Sequence, residues 1–497
     1  MKLFQSDKYQ VFLGKGTNIA ICSVWNEASE IFKNDKIKEK VAVIGTLYSR
    51  NGVNIMLRNL ALNPQINKLY LWGAGKLSQT EFGKMGVEIL KKVWQLQFDN
   101  EGIIKDTTFQ LDEQLDLKVI RKIVSNVELI DVSDLDMKEL IEVIKPIELS
   151  NELYMESVSF PDPVLADEKP FPSEETGFLM RGNSVIEVWL KVVERIMRYG
   201  VIKGTQYGYQ QRELIGVNWI ISDENPDDLN LSLAQSWPED LRKLTGAIEK
   251  NIQQYSQIFL APEKQKGIAY TYGNRLMQYP LLDKCFNQIE EVIIKQLQNS
   301  PNSRRAVATT LVPAVDSFSN EPPCITQVQA LQTNGRLHFL VTVRSHDIFK
   351  AALSNAFGLR ILQKKISDKL GFALGNLQIN SHSAHIYEQD WHNAFQLVKC
   401  CFWHNSPKVF DEENDRDLRG YFIIKVSNKI NVTFNNNDNE ELMVFSATSA
   451  DELIKQINHY DLISRIDHAL DLGKELQKAE IALQKGVVYK QDRPLKL

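Results

Sequence analysis

The fold of the C-terminal half is decided by one continuous stretch, residues 321–347, which reads EPPCITQVQALQTNGRLHFLVTVRSHD. Two runs in it are rich in apolar and β-branched residues and are strand candidates, Ile325–Thr333 and Leu337–Val343. Between them stands Asn334-Gly335, and an Asn-Gly pair between two such runs is a strong signal of a β-hairpin. The stretch therefore predicts two antiparallel strands joined by a tight turn. In such a hairpin, residue 324, just before the first strand, lies beside residue 344, just after the second strand.

This hairpin brings a cysteine and an arginine together. Cys324 precedes the first strand and follows Pro322-Pro323, whose rings stiffen the backbone, and Arg344 follows the second strand. A buried cysteine is more often inert packing than a nucleophile. A guanidinium beside it favours the reactive thiolate, and the same group can fork onto phosphate oxygens. The pair therefore indicates a reactive thiol next to a phosphate-binding group.

Length and composition describe an ordinary globular protein of several domains. The chain has 497 residues, of which 43% are hydrophobic and 24% charged, and its formal net charge is -5. These values exclude a wholly disordered or fibrous chain and a globally basic nucleic-acid binder, so no DNA partner is expected. No apolar run is long enough for a membrane span, and the charged N-terminus does not resemble a signal peptide. We therefore expect no membrane contact and a cytoplasmic location.

The positions of histidine and cysteine argue against a metal site. All eight histidines lie at or after His338, so the first two-thirds of the chain cannot supply a histidine ligand or base. The five cysteines contain no Cys-x-x-Cys pair, which zinc ribbons and thioredoxin-like motifs need. We therefore expect no metal ion.

Three regions follow one another along the chain. In residues 1–148, strand and helix patterns alternate, which predicts an α/β domain with a parallel sheet. Residues 149–176 combine prolines with acidic side chains and lack apolar periodicity, which is typical of a linker. Residues 177–497 begin with a helix capped by Ser184 and continue with mixed strands and helices. This order predicts an α+β domain with a mixed sheet and packed helices.

Short motifs in a fixed order give residues 177–497 a resemblance to thymidylate synthases, especially archaeal forms, and to the related deoxycytidylate hydroxymethylases. The motifs are Ser303-Arg304-Arg305, Pro322-Pro323-Cys324 with Gln329 five residues on, Arg344-Ser345-His346-Asp347 with Asn355 eight beyond, His385-Ile386-Tyr387, and the pair Tyr272-Gly273. No single motif is specific, but their order within one domain makes the resemblance strong. It implies the α+β fold of the thymidylate synthases for this domain.

The resemblance implies a methyltransferase reaction, the reductive methylation of deoxyuridylate (dUMP) to thymidylate (dTMP). The implied co-substrate is 5,10-methylenetetrahydrofolate, or a related reduced pterin, which gives both the carbon and the hydride. Cys324 would add as a thiolate to carbon 6 of uracil and so make carbon 5 nucleophilic. Arg344 would contact the thiolate and the substrate phosphate, and Tyr272 would order the water that removes the proton from carbon 5.

Further motif residues are implied to bind the substrates. Ser345 would donate a hydrogen bond to the phosphate, and Asp347 would meet the pterin. Asn355 would hold the uracil edge, since its amide both donates and accepts. His385 and Tyr387 would bind the ribose 3′-hydroxyl.

The resemblance also implies a homodimer with shared active sites. Arg304 and Arg305 are similar to a family pair that reaches across the dimer interface to the partner's phosphate. Two adjacent arginines taken alone are most often solvated surface residues. Gln329 belongs to the same implied set of substrate-binding residues.

Departures from the family pattern leave some roles open. The segment that carries the catalytic glutamate is not recognisable, so Glu213, Glu239 and Glu249 all remain candidates. Ser383 stands where the family usually has an aspartate, two residues before the ribose-binding histidine. These departures concern the folate step more than the binding of the nucleotide.

Two other functions compete with the synthase. In a hydroxymethylase acting on dUMP or dCMP, water instead of hydride completes the reaction, whereas a synthase needs an aromatic shield against water. Candidates for this shield are Trp237, Tyr255 and Phe259. Asn355 favours uracil, because the amino group of cytosine suits an acidic acceptor. A non-catalytic nucleotide- or RNA-binding relative is the other alternative, which the intact Cys324 and Arg344 oppose.

The N-terminal domain weakly resembles one component of the methanopterin methyltransferase, an enzyme that also uses a corrinoid. The resemblance depends on Val41-Ala42-Val43 and on Asn63-Pro64 followed by Ile66 and Leu69. Because this domain has no histidine, we do not expect it to ligate a corrinoid through one. A scaffold or dimerisation role is the preferred hypothesis.

Overall fold

The fold is given by a computed structural model, which describes residues 1–4, 11–24, 28–47, 49–73, 81–144, 153–162, 169–206, 210–263, 270–281, 284–319, 322–403 and 416–496. The chain divides into two compact units, Met1–His404 and Asn405–Leu497. The domain boundaries predicted at residues 148 and 177 stay predictions. In the described part of the chain, no helix is long and apolar enough to cross a membrane.

The first unit begins with an α/β region. Its strands are β1 (Phe12–Leu13), β2 (Ile19–Ser23), β3 (Val43–Thr46), β4 (Lys68–Trp72) and β5 (Glu128–Asp131). They form one sheet in the order β1-β3-β2-β4-β5, parallel except between β1 and β3. The helices are α1 (Ala28–Phe32), α2 (Asp35–Lys40), α3 (Gly52–Leu62), α4 (Glu81–Trp94), α5 (Leu117–Asn126) and α6 (Met137–Val143). The predicted α/β region is confirmed.

The central strand β2 shows why this region has short, almost wholly apolar runs. Ala20 and Cys22 pack into the hydrophobic core on one side of the sheet, and Ile19 and Ile21 pack into the core on the other. A strand that is buried on both faces is apolar at nearly every position, and in β2 only the terminal Ser23 is polar.

The proline-rich acidic segment lies against the α/β region in its described part. The backbone N–H of Val158 donates to the carbonyl of Ala61 at 2.9 Å, and the Arg58 guanidinium donates to the carbonyl of Pro161. Met155 is buried in the core of the region. Residues 153–162 therefore follow the surface of the region as an extended segment.

A larger, mixed sheet dominates the rest of the first unit. The strands are β6 (Thr176–Gly182), β7 (Val201–Gly204), β8 (Gln210–Ile221), β9 (Tyr279–Leu281), β10 (Lys284–Phe286), β11 (Val307–Thr309), β12 (Ile325–Thr333), β13 (Arg336–Val343), β14 (His346–Asp347) and β15 (Ala373–Tyr387). The main order is β11-β12-β13-β15-β8-β6, with β14 beside β15 and β7 beside β8, whereas β9 and β10 pair separately. The long β15 runs parallel to β13 and antiparallel to β8.

Helices pack against this sheet around one core. They are α7 (Val185–Tyr199), α8 (Ser232–Gln235), α9 (Glu239–Thr245), α10 (Glu249–Phe259), α11 (Tyr272–Met277), α12 (Lys295–Asn299), α13 (Pro313–Asp316), α14 (Leu353–Leu370) and α15 (Glu388–Val398). Ser184 caps α7, since its hydroxyl oxygen accepts from the backbone N–H of Glu187 at 3.2 Å. Trp189 and Trp219 lie at the centre of the core. The predicted combination of a mixed sheet with packed helices is confirmed.

The predicted hairpin is also confirmed. β12 and β13 pair antiparallel up to Thr333, which lies opposite Arg336. Asn334 and Gly335 have φ angles of 52° and 73°. Positive φ at both central residues is what the tight hairpin turn requires, and Asn and Gly adopt it most easily.

The second unit is a small antiparallel sheet with two helices. Its strands are β16 (Tyr421–Val426), β17 (Ile430–Asn435) and β18 (Glu441–Ala447), in that order across the sheet. Helices α16 (Ala450–His459) and α17 (Ile466–Lys485) contribute Leu453 and Leu476 to its core. Strands β16 and β17 pair antiparallel as a hairpin, from Val426 opposite Ile430 to Tyr421 opposite Asn435.

Candidate active site

Cys324 and Arg344 meet where the hairpin opens, as the sequence predicts. The backbone N–H of Arg344 donates to the carbonyl of Cys324 at 2.9 Å. The Arg344 guanidinium turns back onto the proline pair: Nε donates to the Pro323 carbonyl at 2.9 Å, and Nη2 donates to the Pro322 carbonyl at 2.7 Å. These bonds fix both the backbone that carries the thiol and the positive charge beside it.

The Cys324 thiol is partly buried, and its surroundings set its acidity. Burial raises the pKa of the Cys324 thiol, and the Asp347 carboxylate raises it further, whereas the Arg344 charge lowers it. The thiolate is the nucleophilic form of cysteine. The reactive fraction of Cys324 therefore depends on Arg344.

Two tyrosines, Tyr270 just before α11 and Tyr272 as its first residue, lie beside the segment that carries the thiol. The Tyr272 hydroxyl oxygen accepts from the backbone N–H of Ile325 at 3.4 Å, and the rings of Tyr270 and Tyr272 are 5.5 Å apart. Burial raises the pKa of both phenols, and the nearby Cys324 charge adds to the rise. Both phenols therefore stay neutral. Sequence reasoning assigned a role to Tyr272 only; the Tyr-x-Tyr alternation was the available signal for Tyr270.

Asn355 is buried in the first turn of α14 and is held by a tyrosine from α10. The Tyr255 hydroxyl donates to Asn355 Oδ1 at 2.7 Å. This bond fixes the amide so that Oδ1 keeps one lone pair and Nδ2 keeps its hydrogens for another group. Phe259 lies one turn along α10, with its ring 6.0 Å from that of Tyr255 and 5.0 Å from that of Tyr272. Two of the three candidate aromatic shields, Tyr255 and Phe259, therefore lie in one cluster with Tyr272.

A second polar cluster stands at the end of β15. Ser383 donates its hydroxyl hydrogen to Glu213 Oε1, and its oxygen lies 3.2 Å from His385 Nδ1. Because the hydroxyl hydrogen is already used, Nδ1 must carry the ring hydrogen and Nε2 must be an acceptor. His385 is 2% exposed, and no partner for Nε2 is found within the described residues. Burial lowers the pKa of His385 and keeps the ring neutral. The cluster therefore offers a buried acceptor to a ligand hydroxyl, with the ring of Tyr387 packed 4.8 Å away.

Among the candidate glutamates, Glu213 is the one brought into this cluster. It is buried on β8 directly opposite His385. Glu239 and Glu249 are exposed and bond to neighbours on their own helices. The third aromatic candidate, Trp237, packs against another tryptophan in the core.

The arginine pair lies on the outside of the same sheet. Arg304 and Arg305 are exposed, and neither forms an ion pair within the described residues. The Gln329 side-chain amide donates to the carbonyl of Arg304 at 3.0 Å and so ties this segment to the hairpin. Ser345 follows Arg344 and is partly buried. The two guanidinium groups are therefore accessible to another molecule.

Asp347 lies beside the histidine cluster and is linked to a buried ion pair. It stands next to His385 across the β14–β15 pairing, and its Oδ1 accepts from the backbone N–H of Lys350 at 3.0 Å. The Lys350 ammonium in turn lies 3.0 Å from Asp390 Oδ2. Burial raises the pKa of Asp347, against the charge of Lys350. Across the described ranges, no group of three or more His, Cys, Asp or Glu side chains is placed to hold a metal ion.

Comparison with known proteins agrees with this geometry. Residues 192–415 match the family model described as thymidylate synthase, and residues 416–492 match one described as PterinBD-DUF4346. Three similar archaeal proteins carry the name "Putative thymidylate synthase". The one from Methanosarcina barkeri is 30% identical over 227 residues, 45% of this chain and 96% of that protein. The one from Methanosarcina acetivorans is 31% identical over 225 residues, which are 45% of this chain and 96% of that protein. The one from Methanothermobacter marburgensis is 34% identical over 223 residues, which are 44% of this chain and 96% of that protein. Since nearly the whole length of each relative is matched, the chain belongs to the thymidylate synthase family.

Proposed function

We propose that the protein is a thymidylate synthase that methylates dUMP at carbon 5 to give dTMP. The observation that carries the proposal is the Cys324 thiol, held beside the Arg344 guanidinium that also fixes its backbone. Membership of the family supports a methyltransferase. The amide of Asn355 and the buried acceptor of His385 add groups that suit a pyrimidine and a sugar hydroxyl.

In this reaction Cys324 is the nucleophile. Its thiolate adds to carbon 6 of uracil, and the electrons of the 5,6 double bond move onto O4, which leaves carbon 5 as an enolate carbon that can attack. Methylenetetrahydrofolate supplies a one-carbon unit and a hydride. Loss of the proton from carbon 5 expels the folate nitrogen from the new carbon and leaves an exocyclic methylene group. Hydride from the released tetrahydrofolate adds to this methylene carbon, which gives dihydrofolate, and expulsion of the thiolate restores the 5,6 double bond and regenerates Cys324. Arg344 stabilises the thiolate at the start and at the end.

The nucleotide is bound by groups whose hydrogen-bonding direction is already set. Asn355 Nδ2 donates to O4 of uracil, and the free lone pair of Oδ1 accepts from N3–H while Tyr255 holds the amide. His385 Nε2 accepts from the ribose 3′-hydroxyl, and Tyr387 binds the same group. Tyr272 orders the water that takes the proton from carbon 5.

The phosphate is bound from two chains of a homodimer. Arg344 and Ser345 reach it from the chain that carries the thiol. Arg304 and Arg305 reach it from the second copy, which suits their exposure and the absence of an ion pair to either within the described residues. Gln329 keeps their backbone in place.

The co-substrate binds on the side of Asp347. A buried carboxyl group can bond the N–H and amino groups of a pterin ring. Residues 416–492 are similar to the PterinBD-DUF4346 family, and this similarity supports methylenetetrahydrofolate or a related reduced pterin as the co-substrate.

The test is release of tritium from dUMP labelled at carbon 5, in the presence of methylenetetrahydrofolate, with the product identified by mass. We expect dTMP from the wild type and from Cys285→Ala, a control at an exposed cysteine. Cys324→Ala should lose activity by a factor on the order of 10⁵, as expected when a covalent nucleophile is removed. A hydroxymethyl product would identify a hydroxymethylase instead. Binding of dUMP without any tritium release would identify a non-catalytic relative.

A further inference from the structure

One arginine of the α/β region, residues 1–144, forms hydrogen bonds with residues of the segment that matches the thymidylate synthase model, residues 192–415. Arg50 precedes α3 and is 1% exposed. Its Nη1 donates to Asp240 Oδ2 at 2.8 Å, and its Nη2 donates to Asn393 Oδ1. Thr108, from the same region, donates to that Asp240 oxygen through its N–H at 2.8 Å and its hydroxyl at 2.7 Å. The contact is therefore a buried ion pair inside a hydrogen-bonded network, which is costly to break because it leaves a buried charge uncompensated.

Arg50 and the residue after it hold one particular helix. Asn393 lies in the second turn of α15, and Asn51 Nδ2 donates to the carbonyl of Gln389 in the first turn at 2.8 Å. Helix α15 begins directly after Tyr387, the last residue of β15. Two consecutive residues of the α/β region therefore fix the helix that follows the proposed ribose-binding residues.

The same helix carries a buried carboxylate that leads to the site. Asp390 is 2% exposed, and its Oδ2 lies 3.0 Å from the Lys350 ammonium. The backbone N–H of Lys350 donates to Asp347. Burial raises the pKa of Asp390 to about 6, while the charges of Lys350 and Arg50 favour its ionised form. A displaced α15 would move Asp390 and so change the position of the Lys350 ammonium, whose charge already acts on Asp347.

We propose that Arg50 is a positioning residue for the pterin side of the active site, so that residues 1–144 form a structural part of that site. Arg50 and Asn51 hold α15, α15 fixes Asp390, and Asp390 fixes the position of the Lys350 ammonium, whose charge also acts on the Asp347 carboxyl. The identity of the ligand beside Asp347 rests on the proposed function, whereas the chain of contacts does not. The family match begins at residue 192, so Arg50 lies outside it.

The chain offers a matched control in Arg58. Arg58 is also 1% exposed, and like Arg50 it lies over a phenylalanine ring. It donates to Asp112 Oδ2 at 3.0 Å and to the carbonyl of Pro161, so these partners lie before residue 163. Loss of Arg58 should therefore destabilise the α/β region without acting on α15.

The first test compares Arg50→Met with Arg58→Met in the full-length protein by hydrogen–deuterium exchange. We expect peptides covering residues 347–352 and 388–393 to exchange at least about fivefold faster in Arg50→Met, and at the wild-type rate in Arg58→Met, because only the first variant releases α15. Asn51→Ala removes a single hydrogen bond to α15 and should give a smaller rise in the exchange rate of the same peptides. This variant tests the proposal if Arg50→Met does not fold. Equal exchange in both arginine variants, or no rise in either Arg50→Met or Asn51→Ala, would overturn the proposal.

The second test is kinetic and uses the same variants. In Arg50→Met we expect the KM for methylenetetrahydrofolate to rise about tenfold, with kcat and the KM for dUMP nearly unchanged, since only pterin binding is weakened. A merely structural defect lowers the fraction of active enzyme, and hence the apparent kcat, without changing either KM. For Arg58→Met we therefore expect a lower apparent kcat at most, with the KM for methylenetetrahydrofolate unchanged. An unchanged folate KM despite faster exchange would refute the role in positioning the site. A wild-type protein that makes no dTMP would refute the proposed function instead, and the exchange data would still decide the role of Arg50.

Discussion

The two cationic parts of the proposed phosphate site are built in different ways. Arg344 is partly buried, and its guanidinium donates to two carbonyls of the segment that carries the thiol. Arg304 and Arg305 are exposed, and neither forms an ion pair within the described residues. The fold thus fixes one guanidinium beside Cys324 and leaves two others unrestrained.

This difference separates what a single chain completes from what it leaves to a second one. A guanidinium that is already bonded loses little freedom when it binds a phosphate, so it acts as a preorganised charge. Exposed arginines must lose their side-chain freedom on binding, which costs about 2 kcal/mol for each. We infer that the thiol side is complete after folding, whereas the pair of Arg304 and Arg305 becomes ordered only against a partner's ligand.

The largest effect is expected from mixing two inactive variants. Cys324→Ala and the double variant Arg304→Ala/Arg305→Ala should each be nearly inactive alone. After the chains have exchanged between dimers, about a quarter of the wild-type activity should return, because half of the dimers are mixed and each mixed dimer holds one complete site. Tritium release from labelled dUMP measures the recovery.

The control for this mixing experiment combines two variants that each lack a residue of the thiol side of the site. Cys324→Ala mixed with Arg344→Met should recover nothing, since both residues serve the same site from the same chain. If differently tagged mixed dimers form and the arginine double variant also recovers nothing, the arginine pair does not cross the interface.

A smaller but still large effect is expected from Arg344→Met. The loss of the positive charge leaves burial and Asp347 to raise the pKa of Cys324. The reactive thiolate fraction should fall, and dTMP formation should drop about 10³-fold, as when one preorganised charge donor is lost. The rate of Cys324 alkylation by iodoacetamide, followed against pH, should shift to higher pH. Arg336→Met, at the other end of the same hairpin, should leave the alkylation profile unchanged.

The fold could be predicted where the decisive contacts are local. The hairpin follows from the Asn-Gly turn, and its strand bounds agree with the sequence pattern to within one residue. β15 was not predicted, although it is the long strand between β13 and β8. Its outward positions carry Asn376, Gln378 and Asn380, and it ends in alternating serine and histidine, so its apolar pattern is weak. Parallel pairing with β13 is a long-range contact that leaves no local turn signal.

The site divides in the same way. Cys324 and Arg344 are neighbours through a hairpin, so their contact could be predicted from the sequence alone. Tyr255 and Asn355 are 100 residues apart, and their bond requires α10 to pack beside α14. Arg50 lies in a different region from its partners, and an isolated arginine before a helix carries no signal of burial. Contacts that depend on packing between distant elements therefore came only from the structure.

A moderate effect is expected at the histidine cluster from Glu213→Gln. The neutral amide accepts less strongly from Ser383 and brings N–H groups toward Lys203, which pairs with Glu213 in the wild type. The His385 tautomer is then less well defined, and we expect the KM for dUMP to rise about tenfold with a smaller change in kcat. Steady-state kinetics with varied dUMP measure this.

The same cluster offers a rescue and a control. The double variant Glu213→Gln/Ser383→Asp places a carboxylate directly beside His385 Nδ1 and should restore much of the dUMP affinity. Glu239→Gln removes an exposed carboxylate that pairs with a neighbour on its own helix, and it should change nothing. A fall in kcat alone, with the KM for dUMP unchanged, would contradict a positioning role for Glu213.

The smallest effect, and the most selective, is expected from Tyr255→Phe. Removing the hydroxyl that donates to Asn355 Oδ1 allows the side-chain amide to flip, which exchanges the positions of Oδ1 and Nδ2. One orientation suits the carbonyl at position 4 of uracil, and the other suits the amino group of cytosine. Affinity for dUMP should fall about tenfold, the effect of one lost hydrogen bond to a buried group, while affinity for dCMP should rise. Calorimetric titration of both nucleotides measures the ratio, and Tyr279→Phe, whose hydroxyl donates to a main-chain carbonyl, is the control. If both affinities fell equally, Tyr255 would support packing alone, and the choice of uracil would reside in Asn355 without help from α10.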